Sequence, residues 1–74
     1  MDIKLYGTGF CHLCEEAEAI LRAMGIEAEY IDIADEDGLT EKYGVRIPVL
    51  QRADTGAELG WPFDVAAVSR FLGL

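Results

Sequence analysis

The sequence has few basic residues, few cysteines and no long apolar run. Six Lys and Arg stand against 14 Asp and Glu, so the formal net charge at pH 7 is −8. This excess of negative charge repels nucleic-acid phosphates and anionic membrane surfaces, and we expect neither as a partner. No apolar run approaches the roughly 18–20 residues of a membrane span. Two cysteines are too few for a secreted miniprotein stapled by several disulfides.

The apolar content is sufficient for one folded domain. Hydrophobic residues form 51% of the 74-residue chain, which is typical of a folded protein and not of a disordered one. The length allows a single domain over residues 1–74 and no second one. The first residues lack the basic start and the apolar segment of a secretory signal. We therefore expect a monomeric cytoplasmic domain, in a compartment that keeps thiols reduced.

The hydrophobic pattern changes its period repeatedly, which predicts alternating strands and helices. Short apolar runs predict strands over residues 3–6, 27–33 and 45–51, and in a short segment ending near residue 61. Helical spacing predicts an apolar stripe from Leu13 to Met24, and another that starts at Val65. A short helix is expected between a cap at Asp35 and residue 43, and Asp64 is expected to cap the last helix.

The order of these elements, β-α-β-α-β-β-α, predicts an α/β fold. The first two strands are joined through a helix, so the crossover rule makes them parallel. The last two are separated by the turn residues Asp54-Thr55-Gly56, which predict a hairpin. The result is a four-stranded mixed sheet in a two-layer or three-layer sandwich.

The motif Cys11-His12-Leu13-Cys14 lies where the first strand leads into the first helix. A C-x-x-C at such a junction is typical of a redox-active dithiol, because residues i and i+3 of a first helical turn bring two sulfurs within disulfide reach. Cys11 faces the free N–H groups of the helix start, which favour a thiolate, and Cys14 lies one turn deeper. We therefore expect Cys11 to be the catalytic nucleophile and Cys14 the resolving thiol.

The charges beside Cys11 act in opposite directions. A protonated His12 would help Cys11 to ionise, although an exposed loop histidine is the simpler interpretation. Glu15 and Glu16 in the first turn oppose a thiolate. We expect the pKa of Cys11 to be lowered only modestly from the usual value of about 8.5.

The cysteine pair is also compatible with roles that involve no catalysis. A purely structural disulfide would close a four-residue loop, worth about 2 kcal/mol in the chain-entropy model. Cys11, His12 and Cys14 could ligate a metal, but the chain has no other histidine and no second C-x-x-C, so we expect no metal unless a dimer is bridged. Haem attachment needs a histidine after the second cysteine, where Glu15 stands.

With two further segments, the cysteine motif resembles a known family. These are Lys42 to Leu50, K-Y-G-V-R-I-P-V-L, and Trp61-Pro62-Phe63-Asp64. Over essentially the whole chain, the sequence resembles short bacterial glutaredoxin-like proteins of the thioredoxin-like superfamily. The resemblance implies a minimal thioredoxin-like fold and a thiol–disulfide oxidoreductase acting in cell redox homeostasis and electron transport.

The resemblance also implies a cis bond before Pro48, beside the dithiol, and pairing of the Ile47 backbone with an extended substrate. A trans proline at a strand start is the alternative.

Thr8-Gly9-Phe10 replaces the basic residue that glutathione-using members have before the first cysteine, and Arg46-Ile47-Pro48 replaces their T-V-P. Glutathione therefore stays open as a co-substrate, with Arg46 as the best remaining contact for a carboxylate.

The expected substrate contacts include aromatic residues as well as the proline loop. Trp61 could form a platform for partners or fill the core, whereas for Phe63 we favour the core. The full set of expected substrate-binding residues is Phe10, His12, Arg46, Ile47, Pro48 and Trp61.

The expected partners are protein or low-molecular-weight disulfides, with glutathione or a dedicated reductase as electron donor, and no cofactor beyond the cysteine pair. The alternative function is a thioredoxin-like binding module, or a metal or iron–sulfur carrier without reductase activity.

Overall fold

The fold was obtained as a computed structural model, which describes residues 2–9, 11–35, 38–44 and 46–74. Within these residues the elements follow the predicted order β-α-β-α-β-β-α. They are β1 (Ile3–Gly7), α1 (His12–Ala23), β2 (Glu29–Asp32), α2 (Leu39–Tyr43), β3 (Val49–Arg52), β4 (Glu58–Gly60) and α3 (Val65–Leu72). No helix in the described part of the chain is long and apolar enough to cross a membrane.

The four strands form one mixed sheet in the order β2-β1-β3-β4. β1 is parallel to β2 and antiparallel to β3, and β3 and β4 form the hairpin. Both predictions of strand direction are therefore confirmed. The turn of the hairpin is closed by the Gly56 N–H, which donates to the Arg52 carbonyl at 2.8 Å.

Side chains that alternate along β1 enter two different cores, one on each face of the sheet. Leu5 faces a cluster formed with α1 and α3, in which Ala17, Leu21 and Val68 are buried. Tyr6 faces the other cluster, with Tyr43 of α2. The molecule is thus a three-layer sandwich, with α1 and α3 on one side of the sheet and α2 on the other.

The last helix begins as its sequence predicts. Asp64 is the N-cap, and its carboxylate accepts a 2.8 Å hydrogen bond from the Ala67 N–H. Phe63 and Val68 are both buried in the same cluster, as expected for a hydrophobic staple across the helix start. Val65 was expected in the buried stripe of this helix, but it is 51% exposed, and Leu13 of α1 is likewise 41% exposed.

The predicted cap at Asp35 is wrong. Gly38, at φ 90°, is the N-cap residue of α2, and among the described residues no side chain caps this helix. The Asp32 side chain accepts from the Ala34 N–H at 2.9 Å, and the Asp32 carbonyl accepts from the Asp35 N–H at 3.1 Å. These bonds fold residues 33–35 into a turn that continues β2, so Asp35 lies before the helix start.

Two strands begin later than predicted, because backbone N–H groups in the segments before them donate to carbonyls at the ends of the preceding helices. The Ile26 N–H donates to the Leu21 carbonyl at 2.9 Å around Gly25, which has φ 71°. This closing turn of α1 delays β2 to Glu29. At the other site, the N–H groups of Arg46 and Ile47 both donate to the Tyr43 carbonyl, at 2.8 and 3.0 Å, so β3 starts only at Val49.

Candidate active site

The cysteine pair lies at the N-terminus of α1. Cys11 is the N-cap, with an extended backbone, and its sulfur accepts a hydrogen bond from the Cys14 N–H at 3.1 Å. A sulfur therefore takes the place that a serine or aspartate oxygen usually holds at a helix start. An N–H donor and the positive end of the helix dipole both favour negative charge on Cys11.

The two cysteines form a disulfide with their Cα atoms 5.2 Å apart, within the range of about 4.4–6.8 Å that disulfides usually have. The i, i+3 spacing thus brings the sulfurs together as predicted. The two sulfurs differ in access, because Cys14 is only 2% exposed and Cys11 is half-buried. An incoming group can reach Cys11 and meets a nearly closed surface at Cys14.

Gly7, the last residue of β1, packs directly against Cys14, and we call this glycine the floor of the site. A Cβ atom at this position would lie 2.9 Å from the Cys14 sulfur and 2.7 Å from the Tyr30 hydroxyl oxygen. Both distances are shorter than a carbon atom tolerates, so the close approach requires a residue without a side chain. The Tyr30 hydroxyl donates to the Thr8 carbonyl at 3.0 Å, which fastens the segment after β1.

Sequence reasoning did not identify Gly7 and Tyr30 as part of the site. The predicted first strand ends at residue 6, just before Gly7, and Tyr30 only falls within the predicted second strand. A glycine at the end of a strand beside a C-x-x-C motif is the signal that could have indicated a close approach at Gly7. Tyr30 carries no such signal, since only the parallel pairing of β1 with β2 brings it there.

The hydroxyl of Tyr30 stays protonated well into the alkaline range. Its pKa is raised, first because the group is partly buried and then because Glu18 and Asp32 place negative charge beside it. Tyr30 therefore acts as a hydrogen-bond donor at neutral pH.

His12 points toward acidic side chains. Its Nδ1 lies 3.9 Å from a Glu15 carboxylate oxygen and its Nε2 lies 3.9 Å from one of Glu16, and its side chain is 82% exposed. Ion pairs at such exposure contribute little to stability. His12 is thus exposed, as the simpler interpretation of the sequence expects, but it is the first residue of α1 and not a loop residue.

Pro48 directly precedes β3, the strand that pairs with β1. The antiparallel register pairs Val49, the residue after Pro48, with Tyr6, the residue before Gly7. The Ile47–Pro48 peptide bond is cis, and so is the Trp61–Pro62 bond, which the sequence did not suggest. Pro48 is buried and its carbonyl accepts from the Trp61 N–H at 3.2 Å. The proline loop therefore leads into β3, which lies between β1, the strand that carries Gly7, and β4.

Arg46 is engaged by an acidic neighbour. Its guanidinium lies 3.7 Å from a Glu58 carboxylate oxygen and 5.9 Å from the centre of the Tyr43 ring. The Tyr43 hydroxyl donates to the other oxygen of Glu58. A substrate carboxylate would have to compete with Glu58 for this cation.

The aromatic pair near the last helix belongs partly to the core. Trp61 and Phe63 meet edge to face, with ring centres 5.0 Å apart. Phe63 is buried and Trp61 is half-buried against the cluster under α1 and α3.

Phe10, another expected contact, lies outside the described residues. Within the described ranges, no three His, Cys, Asp or Glu residues are grouped so that they could hold a metal ion.

A disulfide-forming cysteine pair at a helix start, on a four-stranded mixed sheet with a proline directly before its third strand, defines a thioredoxin-like fold. Thioredoxin 1 from Thermosipho africanus shares this fold, with a TM-score of 0.60, at 18% identity over 99% of this chain and 96% of that one. The chain belongs to the glutaredoxin-like family, since the model of the "Glutaredoxin-like domain (DUF836)" matches residues 2–73.

Two solved structures of small bacterial proteins are similar over nearly their full length. The crystal structure of XcR50 from X. campestris has a TM-score of 0.87 and 36% identity, covering 96% of this chain and 95% of that one. The solution structure of Ne2328 from Nitrosomonas europaea has a TM-score of 0.80 and 33% identity, covering 95% and 88% of the two chains. No curated protein sequence matches the chain.

Proposed function

We propose that the protein is a thiol–disulfide oxidoreductase. The reduced Cys11–Cys14 pair holds the electrons that are transferred to the substrate, without a further cofactor. The observation that carries this proposal is the asymmetry of the two sulfurs. Cys11 is half-buried and its sulfur accepts a hydrogen bond from the Cys14 N–H at 3.1 Å, whereas Cys14 is 2% exposed. Such an arrangement supports attack by one thiolate on a substrate and resolution by the other.

In the reducing direction, the Cys11 thiolate attacks one sulfur of a substrate disulfide. A bond forms between Cys11 and that sulfur, and the other substrate sulfur leaves as a thiolate with the electron pair. The Cys14 thiolate then attacks Cys11, which releases the second substrate sulfur as a thiolate and leaves the protein oxidised. Both released thiolates take protons from solvent.

The oxidised pair is reduced again by an external thiol, for which we propose glutathione or a partner reductase. The substrates are protein or low-molecular-weight disulfides in a reducing cytoplasm. The backbone at Ile47, beside Pro48, is the proposed contact for an extended substrate chain, with Trp61 next to it. Arg46 is the proposed contact for a substrate carboxylate, which would replace Glu58 as its partner.

The test is a matched pair of cysteine variants in a disulfide-reduction assay with dithiothreitol as the electron source. Cys11→Ser is expected to fall to the rate of the assay without protein. Cys14→Ser is expected to stop at a mixed disulfide, one substrate per protein, visible by mass spectrometry and released by dithiothreitol. Full activity of Cys11→Ser, or a stable adduct that forms on Cys14 in Cys11→Ser and not on Cys11 in Cys14→Ser, would refute the proposed roles.

A further inference from the structure

The buried resolving cysteine has a polar neighbour that the proposed cycle does not use. The point at which a Cβ of Gly7 would stand lies 2.7 Å from the Tyr30 hydroxyl oxygen and 2.9 Å from the Cys14 sulfur. The hydroxyl and the sulfur are therefore close neighbours across a glycine.

A thiolate at Cys14 is costly without a donor. Cys14 is 2% exposed, so a charged sulfur there has lost almost all of its hydration. Glu18 of α1 and Asp32 of β2 place negative charge beside the Tyr30 hydroxyl. These two acids disfavour a further negative charge nearby, whereas the Tyr30 hydroxyl is a donor that can stabilise it.

In the oxidised protein the hydroxyl donates to the Thr8 carbonyl at 3.0 Å. A sulfur in a disulfide is a weak acceptor, whereas a thiolate is an ionised one and forms stronger hydrogen bonds than a neutral carbonyl does. We propose that the Tyr30 hydroxyl turns from Thr8 to Cys14 when the disulfide opens and donates a hydrogen bond to the charged sulfur. This inference rests on the proposed function.

Opening of the disulfide begins when an external thiolate attacks the sulfur of the half-buried Cys11 and forms a new sulfur–sulfur bond. The Cys11–Cys14 bond breaks, and its electron pair leaves on Cys14 as a thiolate. Tyr30 supplies a hydrogen bond and keeps its proton, and Cys14 is later protonated by solvent or attacks the mixed disulfide. A thiolate of lower pKa leaves faster, so the same hydrogen bond accelerates the reduction of the protein.

The decisive experiment titrates Cys14 alone, in the Cys11→Ser variant, by the ultraviolet absorbance of its thiolate. Adding Tyr30→Phe is expected to raise the titration midpoint by about one pH unit, a tenfold loss of thiolate at a given pH, as expected for removal of a hydrogen bond to a charged group. In the protein with both cysteines, Tyr30→Phe is expected to slow reduction of the disulfide by dithiothreitol about threefold, from a Brønsted coefficient of about 0.5.

Tyr6→Phe is the matched control. The hydroxyl of Tyr6 donates to the Gln51 side chain at 2.8 Å, and its ring stacks on Tyr43 on the other face of the sheet. It is expected to leave the Cys14 midpoint unchanged. A shift as large as that of Tyr30→Phe would overturn the inference.

A second measurement leaves Tyr30 intact. The titration of its ring, followed by NMR, is expected at higher pH in Cys11→Ser, where Cys14 is charged, than in the Cys11→Ser/Cys14→Ser variant. Equal midpoints there, or a Cys14 midpoint that does not move in Tyr30→Phe, would mean that Tyr30 only fastens Thr8. If the native protein still reduces disulfides, that result overturns this inference and leaves the proposed function standing. If Tyr30→Phe shifts the Cys14 midpoint but the native protein does not reduce disulfides, the proposed function is overturned and the hydrogen bond from Tyr30 to Cys14 stands.

Discussion

Replacing Gly7 by alanine tests whether the floor of the site depends on a missing side chain. The added Cβ would lie 2.7 Å from the Tyr30 hydroxyl and 2.9 Å from the Cys14 sulfur. Neither neighbour is the loose end of a flexible chain, because Cys14 is held in a disulfide and Tyr30 is hydrogen-bonded to Thr8. Something must therefore shift, and overpacking of this kind costs about 1–3 kcal/mol.

Part of that cost is offset, since alanine is favoured over glycine within a strand by roughly 0.5–1 kcal/mol. The expected net loss is about 1–2 kcal/mol of unfolding free energy, which in a domain of this size lowers Tm by roughly 4–8 °C per kcal/mol. Urea unfolding of the oxidised native protein and of oxidised Gly7→Ala measures this loss of unfolding free energy. The m-value should not change, because both proteins expose the same surface on unfolding.

Gly60→Ala is the control, since Gly60 also lies in a strand and a Cβ there would meet nothing within 4 Å. That variant is expected to be as stable as the native protein or slightly more so. If Gly7→Ala unfolds at the same urea concentration as Gly60→Ala, the close approach of Cys14 and Tyr30 does not constrain the floor, and the reasoning fails.

Two further predictions concern stability outside the dithiol. Asp64→Ala removes the acceptor of the 2.8 Å bond from Ala67 and should cost about 1 kcal/mol in urea unfolding, while Asp64→Asn should recover most of it; equal losses would contradict a capping role. The pKa of Tyr43 is raised above 10.0, chiefly by burial and then by its hydrogen bond to Glu58. The neutral phenol is thus favoured in the folded state, so its contribution to stability is complete below pH ~10 and is lost as the pH rises further. Unfolding free energies measured between neutral pH and pH ~11 should fall more steeply than in Tyr43→Phe, and parallel curves would contradict this.

The parts of the structure that the sequence predicts are those set by local rules. The position of the cysteine motif at a helix start, the cap at Asp64 and the turn before β4 each depend on a few neighbouring residues. The parallel pairing of β1 and β2 follows from the handedness of a strand–helix–strand crossover, which is also nearly independent of detail.

The errors occur where two local rules compete for the same backbone. Asp35 is a good N-cap, but Asp32 turns the chain first by accepting from the Ala34 N–H. Val49 starts the third strand late because the N–H groups of Arg46 and Ile47 bond to the carbonyl of Tyr43. The sequence pattern alone cannot rank these bonds, as each has a similar free energy.

Of the candidate site, the sequence predicts the paired cysteines and only part of their surroundings. The cysteine pair follows from the motif, and the cis bond before Pro48 follows from the resemblance. Tyr30 could not be found from spacing, because its approach to Cys14 depends on which residue of β2 the register sets beside β1. Arg46 was expected to be free for a substrate, and its partner Glu58 comes from a strand on the far side of a hairpin.

The outer strands of the sheet also bear on how copies of the chain meet. β4 has three residues and β2 has four, so a strand added from another molecule would find few backbone groups to pair with. Each copy also has a net charge of −8, which opposes close approach at low ionic strength. The short edge strands and the like charge of the copies together disfavour edge-to-edge aggregation, even though both edges of the sheet are unpaired within the described part of the molecule.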